Sequence, residues 1–222
     1  MTERDIEVRT LALFGGTGRT GRHVLAQALD AGWRVRALAR RPEALEPHPR
    51  LEVVRGDVAD DRAVSEVVVG ADAVLSVLGP VSGSPPDLLA GAARRITAAM
   101  REHGVHRIVS LTGGGVRDPE RDRPRLPDRF IRTLLVLLQG RILRDAEQHL
   151  RVLRESGLEW TVLRAPRLTD APRAGTYRFG SVGVTESGKR ASTRIGRADL
   201  ATALLDEVRT GAHPRQLPFV SE

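Results

Sequence analysis

Directly after the apolar run Thr10-Leu-Ala-Leu-Phe14 comes Gly15-Gly-Thr-Gly-Arg-Thr-Gly21, with glycines spaced G-x-x-G-x-x-G. No other feature restricts the fold of this chain as much. A glycine triplet alone is a weak signal, but this one sits between a buried strand and the start of a helix. Each glycine then has a physical task. The chain turns sharply off the strand, the backbone comes close to a pyrophosphate, and the helix packs tightly on the sheet. Free N–H groups at the helix start face the phosphate oxygens. Gly15, Gly16, Thr17, Gly18, Arg19, Thr20 and Gly21 are therefore candidate cofactor-binding residues, with the Thr17 and Thr20 hydroxyls and the Arg19 guanidinium as added donors.

A regular rhythm follows from this start. Strands are expected at 10–14, 34–39, 51–55, 73–77 and 107–112, and helices at 20–31, 60–69 and 86–103. Val24, Leu25, Ala28 and Leu29 recur at helical spacing, and Asp60 can cap the helix behind it. Alternation of strands and helices at these lengths gives an α/β fold, a Rossmann-type doubly wound parallel sheet with right-handed crossovers. Residues 113–127, rich in Gly, Pro, Asp and Arg, read as an exposed loop. A long helix is expected at 128–155, interrupted near Gly140, then a strand at 160–164, a helix at 199–210 and a strand at 216–220. Residues 165–190 carry turns at Pro166, Pro172, Gly175 and Gly180 and read as irregular, a small substrate lobe or lid over the sheet. With no repeat and no linker, residues 1–222 are expected to form a single domain.

Composition removes several function classes. The chain has no cysteine, which excludes disulfides, zinc–thiolate sites and thiol catalysis. Its six histidines are scattered, and no metal site is expected. The net charge of +7 invites a nucleic-acid reading, but Lys189 is the only lysine and the arginines are interleaved with Asp and Glu. Aromatics are 3% of the chain and no basic block has aromatics between its charges, so nucleic acid is not expected as a partner. A charged N-terminus with no apolar stretch behind it, and no run of about 18 apolar residues, lead us to expect a soluble, cytoplasmic protein without a membrane partner.

The carboxyl ends of the expected strands supply further site residues. NAD-specific sites usually place Asp or Glu at the end of the second strand, on the ribose hydroxyls. Here that strand ends Leu38-Ala-Arg-Arg41. Arg40 or Arg41 can grip a 2′-phosphate as a fork, so NADP(H) is preferred over NAD(H) as the cofactor. The alternative is that both are solvated surface charge, and Arg36 is a weaker candidate because alternation can point it to the other side. Asp57, after the third strand, can accept from an adenine amino group with Val58 on the ring, or it can cap the next helix or shape a turn. Leu78 and Gly79 end the fourth strand and let the backbone pass near the ribose or nicotinamide. Thr112 ends the fifth and can donate to a carboxamide or a substrate carbonyl, or bond to backbone.

These residues resemble the atypical short-chain dehydrogenase/reductase superfamily, above all its NmrA-like NAD(P)-binding proteins and the biliverdin reductase B (flavin reductase) group. The glycine loop, Arg40 and Gly56-Asp57 carry the likeness. So do Val152-Leu-Arg-Glu-Ser-Gly-Leu158, Trp160-Thr-Val-Leu-Arg-Ala-Pro166 and Gly196-Arg-Ala-Asp-Leu200. The resemblance implies an NADPH-binding reductase, monomer or homodimer, with Pro166, Arg167 and Leu168 near the nicotinamide. The chain also departs from the family. The Tyr-x-x-x-Lys dyad is absent: Tyr177 and Lys189, the only tyrosine and the only lysine, are twelve positions apart. The reductase B pattern has a serine after Thr112 and a histidine after Pro166, where this chain has Gly113 and Arg167.

Thr112 and Arg167 are the candidate catalytic residues. Arg167 could hold an anionic substrate or the cofactor's phosphates, or stand free in solvent. His149 is expected to be packed or partly exposed in the long helix. Asp145-Ala-Glu147 reads as a solvated helix face, and Leu134 to Leu138 as core packing or an oligomer contact. Two functions remain. One is an NADPH-dependent oxidoreductase passing hydride to a flavin, a quinone or a similar small planar acceptor. The other is an NADP(H)-binding redox sensor without turnover. A nucleotide-sugar epimerase or dehydratase would need the absent tyrosine.

Overall fold

The computed structural model describes residues 9–119, 121–122 and 126–222. The side chains of helix residues 126–139, and with them the Leu134 to Leu138 stripe, lie outside the described residues. Strands β1 (Thr10–Phe14), β2 (Arg34–Ala39), β3 (Leu51–Arg55), β4 (Ala73–Ser76), β5 (Arg107–Gly113) and β6 (Glu159–Ala165) form a parallel array. Helices α1 (Arg19–Asp30), α2 (Asp61–Val68), α3 (Leu88–Glu102) and α4 (Leu126–Glu155) lie between them. The short strands β7 (Arg167–Thr169), β8 (Arg178–Ser181), β9 (Val184–Thr185) and β10 (Arg194–Gly196) follow, then α5 (Arg197–Thr210) and β11 (Phe219–Ser221). Among the described residues the main sheet has nine strands in the order β3-β2-β1-β4-β5-β6-β11-β8-β9, and β10 pairs with β7 apart from it. The chain reverses between β1 and β4, the topological switch point of a doubly wound sheet.

The period-two alternation of the strands builds two cores. Ala12, Phe14, Val74, Ile108, Trp160 and Val162 face α2, α3 and α4. Leu11, Leu13, Leu75, Val109 and Leu163 face α1 and α5. Strands covered on both faces read as near-continuous apolar runs, which is why they are visible in the sequence. Asp60 caps α2 as expected, accepting from the N–H groups of Arg62 and Ala63.

Three expectations change. α4 runs unbroken through Gly140, because one interior glycine costs a helix only about 1 kcal/mol relative to alanine. Residues 113–122 are not a wholly exposed loop: Val116, Asp118 and Asp122 are buried. The stretch 165–190 is not wholly irregular either. Its β8 pairs antiparallel with β11 and with β9, so this part extends the main sheet instead of standing apart from it. Among the described residues no helix is long and apolar enough to cross a membrane.

Candidate functional site along the sheet edge

The glycine loop lies against the exit of β4. Gly15 has φ +88°, and a Cβ there would stand 2.9 Å from the Val77 carbonyl. A Cβ on Gly21 would stand 2.0 Å from the Gly15 oxygen. No side chain fits at either position, so the loop closes with the Gly18 N–H on the Gly15 carbonyl at 3.0 Å. Gly16 and Thr20 are buried, Thr17 is half-buried, and Gly18 and Arg19 are exposed. α1 has no acidic residue in its first turn, and its N-cap Gly18 provides no side-chain cap. The first-turn amides thus have neither a side-chain cap nor an acidic residue of their own turn, the arrangement that favours a phosphate.

The neighbouring strand ends supply the rest of the edge. Arg40 and Arg41 are exposed beyond β2. Arg40 Nε lies 3.8 Å from an Asp57 carboxylate oxygen, and Asp57 Oδ1 accepts the Ala59 N–H at 2.9 Å. Asp57 therefore does shape a turn, while its second oxygen stays near Arg40. Val58 is mostly taken up by the core beneath α2. Arg36 is tied to Glu52 and to the Val69 carbonyl, away from this group. Leu78 packs partly on the core, and a Cβ on Gly79 would meet nothing within 4 Å.

Thr112 is the unusual member. It is 7% exposed, and its hydroxyl has no hydrogen-bond partner among the described residues. A buried polar atom without a partner costs about 1–3 kcal/mol, a cost that a ligand's acceptor or donor at this strand end would remove. Thr112 pairs in register with Arg164 of β6, and Pro166, half-buried, follows two residues later. Arg167 is exposed, and its side chain makes no ion pair among the described residues. The structure thus places Gly15 to Gly21, Arg40, Asp57, Leu78, Gly79, Thr112 and Pro166 along one edge, at the carboxyl ends of adjacent parallel strands.

The segment after β7 is tethered to that edge. Asp170 pairs with Arg19 of the glycine loop and, at 2.6 Å, with Arg197 at the start of α5. Asp199, buried, accepts the N–H groups of Ala174 and Gly175 at 3.1 and 2.8 Å. Tyr177 lies elsewhere. Its hydroxyl donates to Asp206 at 2.5 Å, about 14 Å further along α5 than Arg197 at 1.5 Å per residue. Burial first, then the Asp206 carboxylate, push its pKa up, the opposite of what a tyrosine acid–base catalyst needs.

Other polar residues proved structural. Asp145 is not solvated: it is 5% exposed, and its carboxylate caps the N-terminus of α3. His149 is buried with Nε2 on Ser110 Oγ at 3.0 Å, and burial lowers its pKa to about 4. Sequence reasoning missed Arg164. Fully buried, it reaches Asp122 at 2.8 Å and the carbonyls of Val116 and Leu217, fastening the 113–122 segment over the exits of β5 and β6. Among the described residues no group of three or more His, Asp or Glu could hold a metal ion.

Comparison with known proteins places this edge in context. A Streptomyces griseus protein named (4-alkanoyl-5-oxo-2,5-dihydrofuran-3-yl)methyl phosphate reductase is 32% identical over 155 residues, covering 69% of this chain and 46% of that protein. The chain thus spans about half the length of that relative. A short-chain dehydrogenase/reductase of Veillonella parvula, solved in complex with NADP, superposes with a TM-score of 0.77 at 18% identity, over 97% of this chain and 95% of that one. ChuY, an anaerobillin reductase of Escherichia coli O157:H7, does so with a TM-score of 0.77 at 21% identity, over 96% of both chains. These two likenesses show the fold. Residues 15–210, which hold the glycine loop, Arg40 and Thr112, match the family described as NAD(P)H-binding, and the chain belongs to that family.

Proposed function

We propose that this protein is an NADPH-dependent oxidoreductase that passes hydride to a small planar acceptor such as a flavin or a quinone. The observation that carries the reading is the buried hydroxyl of Thr112, without a partner among the described residues, at the end of β5, two strands along the same edge from the glycine cradle. The backbone N–H groups of Gly16, Thr17, Arg19 and Thr20, which unlike that of Gly18 are not spent on the loop's own turn, would hold the pyrophosphate. Arg40 would turn from Asp57 to a 2′-phosphate, which sets NADP(H) above NAD(H). Gly79 leaves room for the backbone to pass close to a ribose. Thr112 would donate to the nicotinamide carboxamide or the acceptor's carbonyl, and Arg167 stands free to hold an anionic group. A reduced nicotinamide supplies the hydride when bound. The chain's own part is close approach and orientation, which suffices for hydride transfer to a flat acceptor, with the accompanying proton drawn from water.

Residues 1–222 would then act as one NAD(P)-binding unit, with the tethered stretch at 165–190 covering the acceptor. The phosphate-ester reductase named above is consistent with a small-molecule substrate. The test is a fluorescence titration with NADPH beside NADH, followed by cofactor consumption with flavin and quinone acceptors. Micromolar NADPH binding, much weaker NADH binding and acceptor-dependent oxidation are expected. Tight binding without turnover on any acceptor would favour the redox sensor, a reading supported by the engagement of Tyr177 with Asp206. No binding of either cofactor would overturn both.

A further inference from the structure

Between the first turn of α3 and the middle of α4 lies an open cavity of about 300 Å³, walled by Pro86, Asp87, Arg141, Arg144, Asp145 and Gln148. Its carboxylates are already committed. Asp145 accepts the N–H groups of Leu89 and Ala90 at 2.8 and 2.9 Å, and Asp87 pairs with Arg94 at 3.4 Å. Its guanidinium groups are not. Arg141 and Arg144 are exposed, and neither pairs with a carboxylate among the described residues. Three positions apart on a helix, they share one face. The cavity wall therefore offers two planar, forked cations and no free anion, a setting suited to a carboxylate or a phosphate.

The cavity lies on the same side of the sheet as the orphan hydroxyl. Ser110 of β5 reaches His149 of α4 at 3.0 Å. Side chains alternate along a strand, so Thr112, two residues on, faces the same helix. It also stands one step nearer the carboxyl edge. Asp145, one turn before His149, reaches the start of α3, the helix that follows the exit loop of β4. Thr112, the Leu78-Gly79 turn and this cavity are thus gathered on the α3–α4 face at the cofactor edge.

We infer that the acceptor carries an acidic oxyanion substituent, and that Arg141 and Arg144 hold it in this cavity while the planar part lies toward Thr112. The inference rests on the reductase reading for the identity of the acceptor, though not for the binding of the oxyanion.

Inorganic phosphate and acetate, titrated separately into the chain with and without NADP⁺, test the cavity. The readout is the NMR resonances of the arginine side-chain N–H groups, assigned with Arg141→Gln and Arg144→Gln. At least one of the two anions should move both resonances, and the single variants, whose exposed side chains are assigned to the acceptor and not to the cofactor, should leave NADPH affinity unchanged. If neither anion moves either resonance, the cavity is no oxyanion site. Equilibrium binding of FMN and riboflavin, which share a ring and differ by a phosphate, tests the acceptor. FMN should bind about tenfold tighter, and R141Q/R144Q should erase the difference. FMN binding no tighter than riboflavin overturns the acceptor assignment. Failure of NADPH to bind would instead count against the reductase reading, since the anion titrations without NADP⁺ still report on the cavity.

Discussion

Asp145 Oδ2, on α4, accepts the backbone N–H of Leu89, at the start of α3, from 56 positions away in sequence at 2.8 Å. The helix has no cap of its own, since the Asp87 side chain makes no capping bond. A carboxylate lent by a neighbouring helix thus satisfies two first-turn amides and the positive end of the α3 dipole at once. Asp145→Ala would leave both N–H groups buried and unpaired, and we expect a loss of about 2–4 kcal/mol. Urea unfolding should show a lower midpoint at unchanged slope, with Asp145→Asn falling in between. An unchanged midpoint for the alanine variant would mean that α3 is capped some other way.

The glycines separate the fold's requirements from the cofactor's. Gly21→Ala must push into the Gly15 carbonyl, so it should cost about 1–3 kcal/mol and weaken NADPH binding together. Gly79→Ala meets nothing within 4 Å, so stability should stay within about 0.5 kcal/mol of the parent. If the cofactor's ribose passes there, NADPH affinity nevertheless falls. Equal affinity for Gly79→Ala and parent would remove Gly79 from the cofactor path.

Arg40→Ala isolates the 2′-phosphate. The side chain is 72% exposed and only loosely engaged with Asp57, so the fold should not respond. NADPH affinity should drop about 10- to 100-fold and NADH affinity should stay level, in parallel fluorescence titrations. A matching loss for both cofactors would make Arg40 a general phosphate contact and leave NADP(H) preference without its residue.

Acid stability should carry the mark of His149. Its folded pKa lies near 4, against about 6.5 when unfolded, so between these values the unfolded chain binds more protons. Stability is therefore complete above about pH 6.5 and falls by about 1.4 kcal/mol per pH unit as pH drops toward 4. His213 acts in the opposite sense. Burial alone would lower its pKa, but its hydrogen bonds and charge contacts with Glu207 and Glu186 raise it. Its contribution is present below about pH 6.5 and is lost at higher pH, as the medium passes its folded value. Denaturant unfolding from pH 4.5 to 8 should show the acid slope in the parent and not in His149→Gln. An equal acid slope in both would assign it to other groups.

The local features of this protein were readable and the distant ones were not. The glycine loop, the strands β1 to β5 and the Asp60 cap follow from residues a few positions apart, because apolar alternation and turn chemistry are short-range. β8 and β9 escaped notice because nothing in Arg178-Phe-Gly-Ser181 alternates strongly; pairing with β11 makes them strands. The unbroken α4 shows the converse, a local breaker at Gly140 outvoted by the rest of the helix. At the site, Gly15, Gly21 and Thr112 were named from sequence. The missing partner of the Thr112 hydroxyl was not, since it depends on what β6 and α4 leave unfilled. Asp145 was misread because its two amides belong to another helix, and Arg164 was missed because a fully buried arginine makes sense only beside Asp122.

That last pair bears most directly on the site. Arg164 is fully buried and reaches Asp122 at 2.8 Å, while Asp122 also accepts the N–H groups of Asp118 and Val182. Two segments far apart in sequence, 116–122 and the turn at 182, are thereby held on one guanidinium beside the end of β5. Removing one partner of a buried pair leaves a desolvated charge, which costs about 3–5 kcal/mol, more than the pair itself contributes. Asp122→Ala should therefore lower the urea midpoint sharply, and Asp122→Asn, which keeps an acceptor for Arg164, should lose clearly less. Because the released segment borders Thr112, NADPH should also bind more weakly to Asp122→Ala under conditions where it remains folded. If the alanine variant unfolds at the parent's midpoint, Arg164 is balanced by its carbonyl partners alone, and the 113–122 segment is not fastened through Asp122.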